Sequence, residues 1–225
     1  MNYEITGVIA QVVNVELERG EFCWISPGGM VSFKGGIDWT MKVPGGISGA
    51  LNRMMSGETL RMTYVQCKGR NGNVTFNNSL PGKVYPWDLK KGDIITTRGS
   101  FLGAVGDIDI KVTVAKKIGA AAFGGAGLIL QTISGTGTVF VHGFGDFIEY
   151  DLAQDESLNV STGNLSAFDK CVDYDIQSVG SIGKTLFGGE GLFMTKLTGP
   201  GKVLLQSMKK GSGGGAAMAA LGAFS

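Results

Sequence analysis

The fold is decided by a stretch that occurs twice, FGGAGLILQTISGTGTVFVHG at Phe123–Gly143 and FGGEGLFMTKLTGPGKVLLQS at Phe187–Ser207. The two copies align without gaps, 64 residues apart, and share the Phe-Gly-Gly start, the Gly-x-Gly step and the valine that follows it. A degenerate third copy, SGETLRMTYVQCKGRNGNVTF, lies at Ser56–Phe76. Repetition at a fixed period defines an architecture more strongly than composition does. The sequence therefore predicts three units, at about residues 1–75, 76–143 and 144–210.

Apolar and polar residues alternate along the chain outside these glycine-rich segments. Val13, Val15 and Leu17 alternate with polar residues, and the same pattern recurs at Ile108–Val114 and Val172–Ile176. A period of two places one face of a strand in the core and the other in water, which is typical of antiparallel sheets. The predicted fold class is therefore all-β, with three antiparallel β-sandwich-like units that share one core around a pseudo-threefold axis.

Three local features are predicted within this β pattern. Gly137 and Gly201, which end the two Gly-x-Gly steps, are expected to adopt positive φ in hairpin turns or to permit a close backbone approach. The segment Ile47–Met55 is the one predicted helix, with Ser48 as its N-cap. Residues 211–225, rich in glycine and alanine, are expected to form a flexible tail that affects association more than folding.

Composition narrows the classes of function. Glycine supplies 38 of 225 residues, charged residues make up only 17%, and the net charge is +1 at pH 7. Binding to phosphates normally needs a basic surplus on one face, so the composition disfavours nucleic acid as a partner. The opening MNYEITG lacks a leader pattern, and the apolar stretches are too short to cross a bilayer. We therefore expect a cytoplasmic protein without a transmembrane segment.

Few residues qualify for a chemical role. His142 is the single histidine, so a histidine-based metal site or acid–base pair must use it, and a structural role is favoured. The three cysteines form no CxxC pair, and Cys23 lies in an apolar run, which disfavours metal binding and a Cys–His dyad. Glu58 and Glu190 occupy equivalent repeat positions that mark either a partner surface or solvated turns. The sequence thus predicts no catalytic, cofactor-binding or metal-binding residue, and His142, Glu58 and Glu190 are candidates for interaction only.

Many short motifs occur in a fixed order along residues 3–208. They include Tyr3-Glu4-Ile5, Ser79-Leu80-Pro81-Gly82-Lys83-Val84, Gly99-Ser100-Phe101-Leu102, Gly135-Thr136-Gly137-Thr138-Val139-Phe140, Glu156-Ser157-Leu158, Gly188-Gly189-Glu190-Gly191-Leu192-Phe193 and Thr198-Gly199-Pro200-Gly201-Lys202-Val203. Together they resemble the family named after altered inheritance of mitochondria protein 24. The resemblance implies a fold similar to that of the tryptophan RNA-binding attenuation protein, with the β-sandwich unit present three times in one chain. It implies no catalytic residue, and no tryptophan-binding or RNA-binding residue can be placed here by motif.

The leading functional hypothesis is a homo-oligomeric scaffold or binding protein without catalytic activity, which could also take a different protein as partner. Its basis is a strand-rich repeat with few charges, because exposed edges and apolar faces of sheets must be covered. The alternative is a module that binds a small ligand or nucleic acid, by analogy with the attenuation protein. An enzyme is the third choice, because a single histidine leaves few ways to build acid–base chemistry.

Overall fold

The computed structural model describes residues 2–44, 61–114, 129–178 and 193–209. These residues form β-strands joined by turns and by two single-turn 3-10 helices, Leu89–Lys91 and Thr162–Asn164. The strands are β1 (Asn2–Thr6), β2 (Val12–Glu18), β3 (Phe22–Ile25), β4 (Met30–Lys42), β5 (Met62–Asn77), β6 (Gly82–Asp88), β7 (Ile94–Thr97), β8 (Phe101–Val114), β9 (Ile129–Phe144), β10 (Phe147–Leu152), β11 (Ser157–Ser161), β12 (Leu165–Asp169), β13 (Asp173–Ser178), β14 (Phe193–Thr198) and β15 (Gly201–Gln206). Every pairing between these strands is antiparallel, so the predicted all-β class is confirmed.

The strands form where apolar and polar residues alternate. Val13, Val15 and Leu17 on β2 are buried, whereas the residues between them face outward or are half-buried. Ile108 and Ile110 on β8 are buried in the same way. Burial of alternate side chains on one face of a sheet supplies the main favourable free energy of such strands.

Two long hairpins organise the chain. In the first, β4 pairs with β5 from Met30 opposite Phe76 to Lys42 opposite Met62. In the second, β8 pairs with β9 from Phe101 opposite Val141 onward. Among the described strands, the sheet order is β1-β2-β5-β3-β8-β9-β7-β12-β15-β10, with β4 added to β5 and β6 added to β9, and β11-β14-β13 form a separate sheet of three strands. Strand β3 thus joins the two hairpins, and β7 joins the second hairpin to β12.

Buried apolar side chains form three clusters, and each cluster draws on more than one of the predicted units. Val84 and Phe140, for example, pack with residues of β2 and β5, and Ile95 packs with residues of β12 to β15. Phe76 and Phe140 meet edge to face, with ring centroids 5.6 Å apart. Neighbouring segments of the chain therefore complete one another's cores, as expected for units too small to bury their apolar faces alone.

The two Gly-x-Gly glycines adopt the predicted backbone conformation but not the predicted turns. Gly137 has φ 139° and Gly201 has φ 140°, both in the region that favours glycine. Gly137 lies inside β9, opposite Gly106, and Gly201 begins β15, which pairs with β10 and β12 and not with β14. The hairpin interpretation is therefore wrong. At Gly137 the backbone of the paired strand β8 comes close, whereas at Gly201 the atoms nearest to an added Cβ belong to the side chains of Val172, Asp169 and Cys171. A Cβ atom at Gly137 would lie 2.0 Å from the Val105 carbonyl oxygen.

Several predictions fall outside the described residues. They are the helix at Ile47–Met55 with its cap Ser48, the carboxylates Glu58 and Glu190, and the tail at 211–225. The part of the chain that the structure describes contains no helix of the length and apolar character needed to span a bilayer.

Candidate interaction surface

Strand β4 exposes more large apolar side chains than the other described strands. Val31, Phe33, Trp39 and Met41 are 57%, 47%, 47% and 43% exposed, respectively. Single exposed apolar residues are normal on protein surfaces, but several along one strand mark an interaction site. We call these four residues, together with the strand backbone between them, the β4 edge.

The backbone of β4 has a sheet partner on one side only among the described residues. It pairs with β5, whereas the comparable strand β8 lies between β9 and β3. An edge strand of this kind presents N–H and C=O groups that can pair with another strand. The β4 edge therefore combines apolar side chains with available backbone hydrogen-bonding groups.

Strand β11 provides a second edge of the same kind. Within the described part of the chain it pairs only with β14, whereas β3 and β7 each have a strand on both sides. Its side chains alternate, with Val160 buried, Leu158 half-buried, and Ser157 and Asn159 exposed. We call Ser157–Val160 the β11 edge.

Charged groups flank the β4 edge. The ammonium group of Lys42 lies 3.7 Å from the centre of the Tyr64 ring, a cation–π contact. Asp38 forms an exposed ion pair with Lys68, and this hydrogen bond, with the added charge of Lys68, lowers the pKa of the Asp38 carboxyl. Exposed pairs of this kind contribute little to stability. They place polar groups between the apolar side chains of the strand.

A polar cluster joins β6 to β10 and β15. Lys202 Nζ donates to Glu149 Oε2 at 2.9 Å and to the Tyr85 hydroxyl at 3.1 Å, and the same hydroxyl donates to Glu149 Oε2 at 3.0 Å. The hydrogen bonds raise the pKa of Lys202 and lower the pKa of Glu149, each chiefly through the other residue. All three polar groups are partners of one another, so the cluster is best suited to holding these strands together.

A cleft of about 670 Å³ lies where β3 approaches β8. Its lining includes two arginines and three amides: Arg61, Arg98, Asn77, Asn78 and Gln131. Its volume is within the range of small-molecule sites. Guanidinium and amide groups of this kind suit an anionic ligand.

His142 lies on β9 and is 1% exposed. Burial lowers its pKa to about 4, against a hydrogen bond with the Leu80 backbone that raises it. Its Nδ1 atom has no hydrogen-bond partner in the described structure, and its ring meets Phe144 edge to face. The carboxylate of Glu149, seven residues later in the chain, is bonded to Lys202. The structure therefore places His142 in the interior, as a neutral side chain.

The cysteines are unpaired and differ in environment. Cys23 and Cys67 are buried, and desolvation raises the pKa of the Cys23 thiol to about 12. Cys171 is exposed, and its thiol donates to the Pro200 carbonyl oxygen at 3.2 Å. In the described ranges no three His, Cys, Asp or Glu side chains are grouped so as to hold a metal ion.

Sequence reasoning did not find the β4 edge. The segment MVSFKGGIDWTMK has the alternation of an ordinary strand. Alternation alone does not say whether another strand lies beside the edge of that strand or leaves it open. A comparison of β4 with β8 could have found it. At corresponding positions β8 carries Gly103 and Ala104, and β4 carries Ser32 and the large Phe33.

These features define the class of the chain: an antiparallel all-β protein whose described part includes the β4 edge and the β11 edge and buries the single histidine. The chain belongs to the family described as Mitochondrial biogenesis AIM24, whose model matches residues 3–208. Its fold is similar to the crystal structure of a Streptococcus pyogenes protein from a structural-genomics programme, with a TM-score of 0.79 and 22% identity over 100% of this chain and 99% of that one. Among curated proteins, none matches this chain. The family resemblance read from the motifs is thus confirmed.

Proposed function

We propose that the protein is a non-catalytic scaffold that works as a homo-oligomer in the cytoplasm. The observation that carries this proposal is the β4 edge, on which four large apolar side chains lie along a strand that pairs on one side only within the described residues. Such an edge invites pairing with another strand, and proteins that keep one exposed usually cover it in their assembled state.

The proposal includes three repeated units with the same strand pairings in one chain. It is supported by pairings that recur in chain order. β2 pairs with β5, β6 with β9, and β10 with β15. β3 pairs with β5, β7 with β9, and β11 with β14. The bounds of β8, moved by 64 residues, coincide with the start of β12 and the end of β13.

The absence of catalysis is part of the proposal and rests on the state of the candidate groups. His142 is buried with a lowered pKa, so it is neutral and shielded at pH 7. The Cys23 thiol is protonated at that pH because its pKa is raised to about 12. A nucleophile or base needs access to substrate and a pKa near the working pH, and these two groups have neither.

Sedimentation velocity of the full-length protein over a wide concentration range tests the proposal. We expect a discrete species larger than one chain. A chain ending at Lys209 should fold as the full-length chain does, because the described strands end at Gln206. A full-length protein that stays monomeric at the highest attainable concentration contradicts the scaffold function.

The cleft beside β3 and β8 supports a second candidate function, the binding of a small anion. Arg61 and Arg98 line it together with amide side chains. Native mass spectrometry of the protein isolated from cells tests this function. A retained ligand that is lost in Arg61→Ala and kept in the surface control Lys90→Ala would support it, and a ligand-free protein would contradict it.

A further inference from the structure

Two strands of the protein each pair with strands of two successive predicted units, and we call them bridging strands. β3 pairs with β5 on one side and with β8 of the next hairpin on the other. β7 pairs with β9 on one side and with β12 on the other. β11, the third strand of this series, pairs with β14 but with no described strand on its other side. A bridging strand pairs with β8 and with β12, which we call receiving strands. The first strand of that receiving series is β4, and no described bridging strand pairs with it.

A bulge fixes the correspondence between the three receiving strands. In each of them the register shifts at one residue near the start of the strand: between Met30 and Ser32, between Phe101 and Gly103, and between Leu165 and Ala167. Bulges pin the register of a strand. Ser32 of β4 therefore corresponds to Gly103 of β8 and Ala167 of β12.

The registers of the two observed bridges agree with this correspondence. Gly103 lies opposite Ile25, and Ala167 lies opposite Thr96. The hydroxyl groups of the residues that follow, Ser26 and Thr97, donate to the carbonyl oxygens of Phe101 and Leu165, respectively. The same side-chain bond thus crosses both junctions at the same place.

Side chains of a receiving strand are buried where a bridging strand lies beside it and exposed where none does. Leu102 and Ser166 are 1% and 0% exposed, whereas the corresponding Val31 is 57% exposed. Ala104 is fully buried, and the corresponding Phe33 is 47% exposed. The β4 edge thus carries apolar side chains at positions that are buried in the bridged strands, but these side chains are exposed because no described strand lies beside β4.

We propose that the β11 edge of one copy pairs antiparallel with the β4 edge of a second copy. Continuing the observed registers places Val160 opposite Ser32, Asn159 opposite Phe33, and Leu158 opposite Lys34 of the second copy. The inference rests on the proposed self-association and specifies its contact. The occupant is a second copy because this chain supplies both halves of a junction that it already forms twice internally, while its own β4 and β11, both described, pair with β5 and β14 and not with each other.

Backbone geometry supports the pairing. Lys170 N donates to the Asp93 carbonyl oxygen at 2.9 Å across the β7–β12 junction. Hydrogen-bonded and non-hydrogen-bonded pairs alternate in antiparallel sheets, so Phe168 and Ile95, two residues away, form a hydrogen-bonded pair. Phe33 corresponds to Phe168, and its backbone N–H and C=O therefore point away from β5, toward the second copy.

The contact is head to tail, because the two edges are different surfaces of the chain. After one contact, the copy that used its β11 edge keeps its β4 edge, and the copy that used its β4 edge keeps its β11 edge for a further copy. A heterologous contact of this kind closes into a ring when its rotation divides a full turn, and otherwise extends. It differs from a two-fold dimer contact, in which one patch meets itself.

Disulfide trapping tests the register. In a Cys171→Ser background, Lys34→Cys and Leu158→Cys are combined in the full-length chain, which retains the buried Cys23 and Cys67. Opposed residues in a non-hydrogen-bonded pair have Cβ atoms about 4.5 Å apart, close to disulfide geometry. Mild oxidation should give covalent multimers, and an equal mixture of two proteins that each carry one of the introduced cysteines should give a covalent dimer and nothing larger.

The control combines Ser32→Cys with Leu158→Cys, a diagonal pair whose Cβ atoms are about 7 Å apart in the proposed register. It should give little crosslinking. Equal crosslinking of both pairs overturns the register. A crosslink that leaves the chain at monomer mass overturns the pairing of two copies, because β11 would then meet β4 of its own chain.

Weakening the edge provides an independent test by sedimentation. Phe33→Lys should weaken association about 10- to 100-fold, from the loss of one buried aromatic side chain and the burial of a charge. Ile148→Lys is the matched control, since Ile148 is 46% exposed on β10 and lies outside the contact. A monomeric parent protein overturns both the scaffold function and this pairing. An oligomeric parent whose size is unchanged in Phe33→Lys and whose register pair fails to crosslink overturns the pairing alone.

Discussion

Replacing Gly137 by alanine should destabilise the protein through two separable effects. The first is conformational, because φ at this position is 139°, in a region that costs a non-glycine residue about 1–3 kcal/mol. The second is steric. The added Cβ would lie 2.0 Å from the Val105 carbonyl oxygen and 3.0 Å from Gly106 Cα, and these backbone atoms belong to the paired strand β8.

Backbone atoms in the middle of a sheet cannot move aside as the end of a flexible side chain can. Overpacking of this kind costs about 1–3 kcal/mol, which brings the expected loss for Gly137→Ala to about 2–6 kcal/mol. Gly92→Ala isolates the conformational part. Gly92 has φ 131°, close to that of Gly137, but an added Cβ there would have no atom within 4 Å.

Urea unfolding of both variants, followed by tryptophan fluorescence, gives the two losses in free energy of unfolding. We expect Gly137→Ala to lose more than Gly92→Ala by about 1–3 kcal/mol, the steric part alone. Thermal unfolding should show the same order, with about 2–4 °C for each kcal/mol in a protein of this size. Equal losses in the two variants would refute the argument that close backbone approach requires glycine at position 137.

Three further predictions concern titratable groups. The pKa of His142 falls from 6.5 to about 4 on folding, so as pH drops the unfolded state binds a proton before the folded state does. The free energy of unfolding should therefore decrease by up to about 3 kcal/mol as pH drops from 6.5 to 4. His142→Phe should flatten this part of a stability–pH curve measured by urea unfolding, and an unchanged slope would show that other groups cause it. Cys171 should react with a thiol reagent in the native protein while Cys23 reacts only on unfolding, and rapid modification of both would contradict the burial of Cys23. The pKa of Glu149 is lowered in the folded state, so its carboxylate stabilises the protein at pH 7, and this stabilisation is lost as pH falls through the folded pKa. Glu149→Gln should remove it. Equal urea midpoints of Glu149→Gln and its parent at pH 7 would show that the bond to Lys202 contributes nothing there.

Local patterns were enough to predict β2, β8 and β13 as strands and to identify the family. The alternation at Val13, Val15 and Leu17 has only one structural use, a half-buried strand, so β2 follows from the sequence. Motifs made of glycine and apolar residues also identify the family, because they specify backbone conformation and core volume. The positive φ of Gly137 belongs with these local predictions.

The partners of those strands were not predictable in the same way. Gly-x-Gly indicates backbone freedom but does not say whether the chain turns or another backbone comes close, and at Gly137 the approaching backbone is that of β8. His142 shows the same limit. The sequence favoured a structural role for it, but only its position inside β9 and the loss of solvent there show that its pKa is lowered.

The sequence by itself determined that this protein is an all-β member of its family, since periodicity and motif order act within a few residues of the chain. Only the tertiary structure decided which edges lie open. Phe33 and Ala104 occupy corresponding places on strands with the same alternation, yet one is 47% exposed and the other is fully buried. The difference is that β3 covers β8 and no described strand covers β4. Burial of a side chain depends on which distant strand lies beside it, and that is a property of the assembled sheets.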